Sequence, residues 1–197
     1  GDRGTFATEF LEANGIMRGK ALDNRIGCAT LIELLRGPAF GFELHAAFTV
    51  QEEVGLRGAQ VAAFGIDPQC GIALDCTPAH DLPDYQGREN TRYNARLGHG
   101  PALYVADRRM ISDARLVQFF EGVAQRANIP YQIRQPGGGG TDAGAIQRAR
   151  GGVPALSISV PARYLHSPAA LARLSDWADT LRLLQTALEQ WTPAILA

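Results

Sequence analysis

Five short apolar runs recur along this chain with helix-patterned segments between them, and that alternation restricts the fold more than any other feature. FELHAAFTV (42–50), GIALDCT (71–77), PALYVAD (101–107), IPYQIRQ (129–135) and VPALSISVP (153–161) have the length of strands. Several are apolar on both alternating faces, as strands covered on both sides are. Asp23 precedes NRIGCATLIELLRG, where Ile26, Ala29, Leu31, Ile32 and Leu35 give a helical stripe that ends at Gly37 and Pro38. LRGAQVAAFG (56–65) reads as a short helix and roughly 169–191 as a long final one. DARLVQFFEGVAQRAN (113–128) is amphipathic, with Leu116, Phe119, Phe120 and Val123 on one side. Strands alternating with helices build an α/β fold: a three-layer α/β/α sandwich around a mixed, largely parallel sheet. FELHAAFTV is expected near its centre, and the polar stretch 78–98 is expected to be loop.

With 197 residues, 46% hydrophobic and 20% charged, the chain fits one domain able to bury a core of its own. A net charge of -1 with no basic block argues against nucleic acid or an anionic membrane as the partner. Cys28, Cys70 and Cys76 are odd in number and form no CxxC. They suggest neither a disulfide framework nor a thiolate zinc site, and they suit a reducing, cytoplasmic setting. No apolar run approaches the ~20 residues that span a bilayer.

VQEEVG (50–55) sets Glu52 and Glu53 side by side where a strand should leave the core. Buried like charges need a cation. Asp23 before a helix, Asp75 near the end of GIALDCT and His166 after VPALSISVP fall at other element ends. In open α/β sheets, sites gather at the carboxyl ends of strands. An Asp, Glu and His set without Cys is the ligand chemistry of a hydrolytic zinc, cobalt or manganese site. Two ions sharing a bridging Asp would stabilise the clustered charge, and the spare glutamate would be free to act as a general base. Each residue also has a plainer reading: a helix N-cap for Asp23, a surface turn for Glu52 and Glu53, a turn before Pro78 for Asp75, a loop imidazole for His166. The glycines at 137–140 can cradle an anion or mark a close crossing, and Thr141 or Asp142 caps the helix after them. No GKS or GKT follows, so a nucleotide loop is not supported.

GKALDNRIGC, FTVQEEVGLRGA, ALDCTPAHDLP, IPYQIRQPGGGGTDAGAIQ and GVPALSISVPARYLHSP follow one another over nearly the whole chain. In that order they resemble consecutive motifs of the dinuclear metalloaminopeptidases. These are the glutamyl, deblocking and tetrahedral TET aminopeptidases, some of them labelled endoglucanase M or cellulase. The resemblance implies a zinc-exopeptidase-like fold. It implies release of N-terminal residues from peptides with two zinc or cobalt ions that activate water. Asp23 would be the bridging ligand, Glu53 and His166 would bind one ion, Asp75 the other, and Glu52 would be the general base. The glycine loop would lie on the substrate side. Gly140 and Asp142 become substrate-binding candidates, Asp142 toward the free amine, with Arg163 and Tyr164 as further ones beside His166. The implied protein is a cytoplasmic homo-oligomer, such as a dodecamer, with peptides as its partners.

The resemblance covers the C-terminal part of the family's catalytic domain. Residues 1–20 would be the tail of an inserted β domain or a linker, and 21–197 the catalytic α/β domain. A further metal-binding histidine lies upstream in the family, and His45, His80 and His99 do not replace it. The ion held by Asp23 and Asp75 is therefore expected to be one protein ligand short. Two rival readings stand beside the peptidase. One is an inactive scaffold of such an enzyme. The other is a glycoside hydrolase, which needs two carboxyls about 5–9.5 Å apart and leaves His166 and Asp23 without a role.

Overall fold

The computed structural model describes residues 1–83, 85–87, 95–134 and 138–197. Its strands are β1 (Leu11–Ala13), β2 (Ile16–Gly19), β3 (Gly71–Pro78), β4 (Ala102–Tyr104), β5 (Gln132–Arg134), β6 (Ala155–Arg163) and β7 (Ala170–Arg173). They form one sheet in the order β1-β2-β7-β6-β4-β5, with β3 also paired to β6. The sheet is mixed. Its longest ladder is parallel, from Gly71 opposite Ala155 to Pro78 opposite Ala162, while β4 and β7 run antiparallel to β6. The helices are α1 (Leu22–Arg36), α2 (Arg57–Ile66), α3 (Ala114–Arg126), α4 (Ala143–Ile146) and α5 (Leu174–Glu189).

The two faces of β6 fix the layers. Leu156 and Ile158 pack with Leu34 of α1, Leu116, Phe120 and Val123 of α3, and Leu183 and Leu184 of α5. Ala155 points to the other face, with Tyr104, Met110 and Ala143 of α4. α2 lies outside α4, joined through Leu56, Ala59 and Ala145. This is the expected α/β/α sandwich. Among the described residues no helix is long and apolar enough to cross a membrane.

Several local expectations change. FELHAAFTV joins no ladder, and Leu44, Phe48 and Val50 are exposed. An apolar run becomes a strand only where a neighbouring strand takes its backbone hydrogen bonds, and among the described residues no strand pairs with it. In α1 the buried positions are Leu22, Ile26, Gly27, Thr30 and Leu34, so the buried stripe is turned away from Ile32 and Leu35, which are exposed. The final helix starts at Leu174, because Ala170–Arg173 pairs with β2 as β7. β1 and β2 form a hairpin across Asn14 and Gly15, both with positive φ, which is the short-turn signature that Asn-Gly carries. The N-terminal stretch thus reaches the sheet edge through β2. Gln135 and Gly137, and residues 88–94 of the expected loop, lie outside the described residues.

Candidate metal centre

Element ends converge at one side of the sheet. Asp23 stands in the first turn of α1, where the backbone is not yet helical. Its neighbour Asn24 fastens that turn: Nδ2 donates to the Leu74 carbonyl (2.6 Å), and Oδ1 accepts from the Gly27 N–H (3.0 Å). Asp75 follows Leu74 on β3, so α1 and β3 deliver their carboxylates together. Glu52 and Glu53 sit in the turn after the 42–50 segment, closed by Gly55 N–H and Leu56 N–H on the Glu52 carbonyl (3.0 and 2.9 Å). His166 lies three residues past the end of β6. Its Nε2 is 3.3 Å from Asp23 Oδ2 and 3.3 Å from Glu53 Oε1. The three side chains each offer one ligand atom, all within 4.8 Å of one another.

These residues, with Glu52 and Asp75, line a pocket of about 290 Å³. Ala21, Gln51, Leu56, Tyr164 and His166 are left-handed non-glycine residues within three positions of a member of the set. That conformation costs roughly 1–2 kcal/mol per residue, and such residues cluster where a site over-determines the backbone. A wider groove of about 530 Å³ between α2 and α4 shares Gly55 and Leu56 with this pocket but contains no carboxylate.

Burial and crowding act on the acids in concert. Burial raises Glu52 to about 7, helped by the charges of Asp142, Glu53 and Asp23. Asp23 is raised by burial and then by Glu53. Asp75 is raised well above the ordinary range by burial and then by Asp23. Without a cation these groups hold protons at pH values where carboxyls are normally ionised. A divalent ion fits this set: it would take the place of those protons, and two carboxylate oxygens with an imidazole nitrogen are ordinary zinc or cobalt donors.

The other candidates divide. Gly140 lines the pocket. Asp142 occupies the N-cap position of α4 but makes no side-chain cap bond. Its Oδ2 accepts from the Thr49 hydroxyl, its Oδ1 is buried with no hydrogen-bond partner, and burial raises its pKa. Arg163 donates from Nε to Asp81 Oδ1 (2.7 Å). Burial pushes the Asp81 carboxyl up, but hydrogen bonds from Arg163 and the Leu97 N–H leave it below its ordinary value. Tyr164 is exposed, and neither it nor Arg163 is among the pocket's lining residues. Sequence reading did not assign Tyr104, Arg109 or Arg134 to the site and read Thr141 only as a helix cap, yet all four line the same pocket. Arg134 and Thr141 flank the glycine loop and Tyr104 lies in the 101–107 run, but nothing in those patterns marks these side chains as site residues, and the fold is what brings them together with Arg109.

The model of the M42 glutamyl aminopeptidases matches residues 1–183. The chain belongs to this family. A curated protein of Acetivibrio thermocellus is 40% identical over 189 residues, which is 95% of this chain and 56% of that protein. An aminopeptidase of the archaeon Desulfurococcus kamchatkensis superposes with a TM-score of 0.86 at 35% identity, covering 97% of this chain and 54% of that one. The TET1 peptidase of Pyrococcus horikoshii can assemble into a tetrahedron or a large octahedral shell. It superposes with a TM-score of 0.77 at 32% identity, covering 94% of this chain and 54% of that one. The chain thus spans about half the length of the relatives it matches.

Proposed function

We propose that this chain carries the metal-binding and proton-transferring residues of a cytoplasmic, metal-dependent aminopeptidase that releases N-terminal residues from peptides. The observation that carries the reading is His166 Nε2 at 3.3 Å from both Asp23 and Glu53, with Glu52 raised to about 7 in the same pocket. Asp23, Glu53, Asp75 and His166 would hold two zinc or cobalt ions, Asp23 shared between them. Bound there, the metal supplies Lewis-acid activation of water and of the peptide carbonyl. Glu52 handles the proton. A carboxyl poised near neutrality accepts a proton from the attacking water and returns it to the departing amine. Asp142, one residue behind the pocket wall, faces the substrate's free amine in this reading, and Gly140 borders the substrate. Assembly into a homo-oligomer is supported by the shells of the Pyrococcus horikoshii relative. A glycosidase has no use for an imidazole between two carboxylates, so that reading falls behind.

Metal content of the purified chain after exposure to zinc, measured by elemental analysis, tests the ligands. Glu53→Ala and His166→Ala are expected to lose metal. Glu52→Gln is expected to keep it while hydrolysis of aminoacyl p-nitroanilides falls by about 10²–10⁴-fold. Unchanged metal content in both alanine variants would refute the assignment. Metal bound without turnover in the parent chain would favour the inactive-scaffold reading.

A further inference from the structure

One amide side chain joins the two elements that carry Asp23 and Asp75. Asn24 is the last residue before α1 becomes regular, since it and Asp23 lie outside helical φ/ψ. Its Oδ1 accepts from the Gly27 N–H three residues on (3.0 Å), which is the bond of a helix N-cap. Its Nδ2 reaches the other way and donates to the Leu74 carbonyl of β3 (2.6 Å). That carbonyl has no strand to meet. The Gly71 N–H donates to the Pro154 carbonyl and the Ala79 N–H to the Ala162 carbonyl, so the odd-numbered residues of β3 turn their backbone groups to β6. Successive residues of a strand direct these groups to opposite edges. Leu74 therefore faces the outer edge of β3, and among the described residues no strand pairs there. The Asn24 amide takes the place of a neighbouring strand. Asp23 is the residue before one end of its bond, and Asp75 is the residue after the other.

The seam between α1 and β3 is shaped around that amide. Gly27 is buried, and a Cβ there would come 2.4 Å from Asn24 Oδ1 and 2.9 Å from its Cγ and Nδ2. The φ of Gly27 is not positive. The backbone therefore does not demand glycine, and the position of the amide does. Beside it the Cys76 thiol donates to the Leu22 carbonyl (3.4 Å), a second tie between β3 and α1. The Cys76 N–H donates to Asp75 Oδ1 (2.8 Å) and orients that carboxylate. Asp23 and Asp75 line the metal pocket, whereas Asn24 is not among its lining residues. Asn24 acts on the centre through its neighbours.

We propose that Asn24 is a positioning residue of the metal centre: the bond from its amide to the Leu74 carbonyl sets Asp23 against Asp75, so that the two carboxylates share an ion. This rests on the metal reading above. Calorimetric titration of the metal-free full chain with zinc tests it, in the parent and in an Asp75→Ala background. Asn24→Ser keeps an oxygen that can cap the Gly27 N–H but is too short to reach Leu74. It is expected to weaken zinc binding about 10–100-fold, as loss of an outer partner of a ligand does. Once Asp75 is already alanine, the same change is expected to cost less than about twofold. Gly27→Ala displaces the amide without altering it and is expected to follow Asn24→Ser, although alanine is favoured over glycine inside a helix. Thr30→Val is the control. It removes the acceptor of the Trp177 Nε1–H (3.0 Å) in the same helix, and is expected to lower the denaturant midpoint with zinc affinity unchanged. The visible absorption of the cobalt(II)-loaded chain is a second readout, expected to change in Asn24→Ser and not in Thr30→Val. Zinc bound equally by parent and Asn24→Ser, weakened alike in both backgrounds, or weakened as much by Thr30→Val, overturns the inference and leaves the ligands standing. A parent chain that takes up no zinc overturns the metal reading and this inference with it.

Discussion

β6 and the segment 42–50 are both near-continuous apolar runs, and both lead into the metal centre, yet they are held in different ways. β6 is buried from Ala155 to Ala162 and pairs with β3 along that whole length. Segment 42–50 belongs to no ladder, and Phe48 and Val50 are 49% and 66% exposed. Two bonds near its end clip it down: the Gly58 N–H on the Val50 carbonyl (2.9 Å), and the Thr49 hydroxyl on Asp142. His166 and Asp75 therefore extend from paired strands, while Glu52 and Glu53 hang on a lightly held turn. Local contact sets local stability, so the glutamate side is the softer half of the site.

The sharpest way to break that contrast is to cut equivalent apolar volume from each run. Ile158→Ala is expected to cost about 2–5 kcal/mol, because its side chain is fully buried among three helices. Phe48→Ala is expected to stay within about 0.5 kcal/mol. Denaturant midpoints measure both. Equal losses would mean that 42–50 is packed in solution as firmly as β6.

Gly58→Ala comes next. Its Cβ would lie 2.5 Å from both the backbone N and the O of Val50, and backbone cannot step aside as a side-chain tip can. The expected loss is about 1–3 kcal/mol, together with weaker metal binding, since the displaced end of the segment leads directly to Glu52 and Glu53. Gly65→Ala in the same helix meets nothing within 4 Å and is expected to gain up to about 1 kcal/mol. Metal affinity falling in both variants alike would detach the turn from the clip.

The same contrast explains what the sequence could and could not convey. VPALSISVP announces β6 because its residues from Ala155 onward do meet partners on the sheet, and Leu116, Phe120 and Val123 keep the helical period of α3. FELHAAFTV has the same local pattern, and only the missing ladder distinguishes it. The carboxylates were legible because each stands at or near the end of a run with a recognisable pattern. The place of Arg109 in the same pocket was not, since it depends on two glycines more than 30 residues away. Arg163 looked like a site residue by its nearness to His166 in sequence, but its partner Asp81 is 82 residues away in the chain.

Protons sharpen the comparison further. Asp23, Glu52, Asp75 and Asp142 all have carboxyls raised above their ordinary values, led by burial. The folded chain thus binds more protons than the unfolded one above pH 3.8 to 4.5, and stability falls as pH rises through the folded values, to about 7 for Glu52. Asp81 and Asp113 are shifted the other way. Their contribution is complete above the ordinary carboxyl range and is lost only in stronger acid. The metal-free Tm is therefore expected to drop between about pH 5 and 7.5, and zinc to raise it more at the upper end, where it replaces protons rather than competing with them. A metal-free Tm that climbs over this interval would contradict the crowding of these carboxyls.

Thr49→Val carries the smallest expected effect and probes the clip itself. The change keeps the shape and removes the hydroxyl that donates to Asp142 Oδ2, the one bond that lowers this carboxyl. Asp142 Oδ1 already lacks a partner, so the whole carboxyl would stand buried without a donor, at a cost of about 1 kcal/mol. Asp142 then stays protonated to higher pH. Its charge is the largest cause after burial of the rise at Glu52, so neutralising it relaxes Glu52 downward. The acid limb of the pH–rate profile is expected to move to lower pH while the denaturant midpoint falls by no more than that cost, and Asp142→Asn to move the limb the same way. An acid limb shifted upward in either variant would mean that the clip acts on Glu52 through geometry alone, and not through the charge of Asp142.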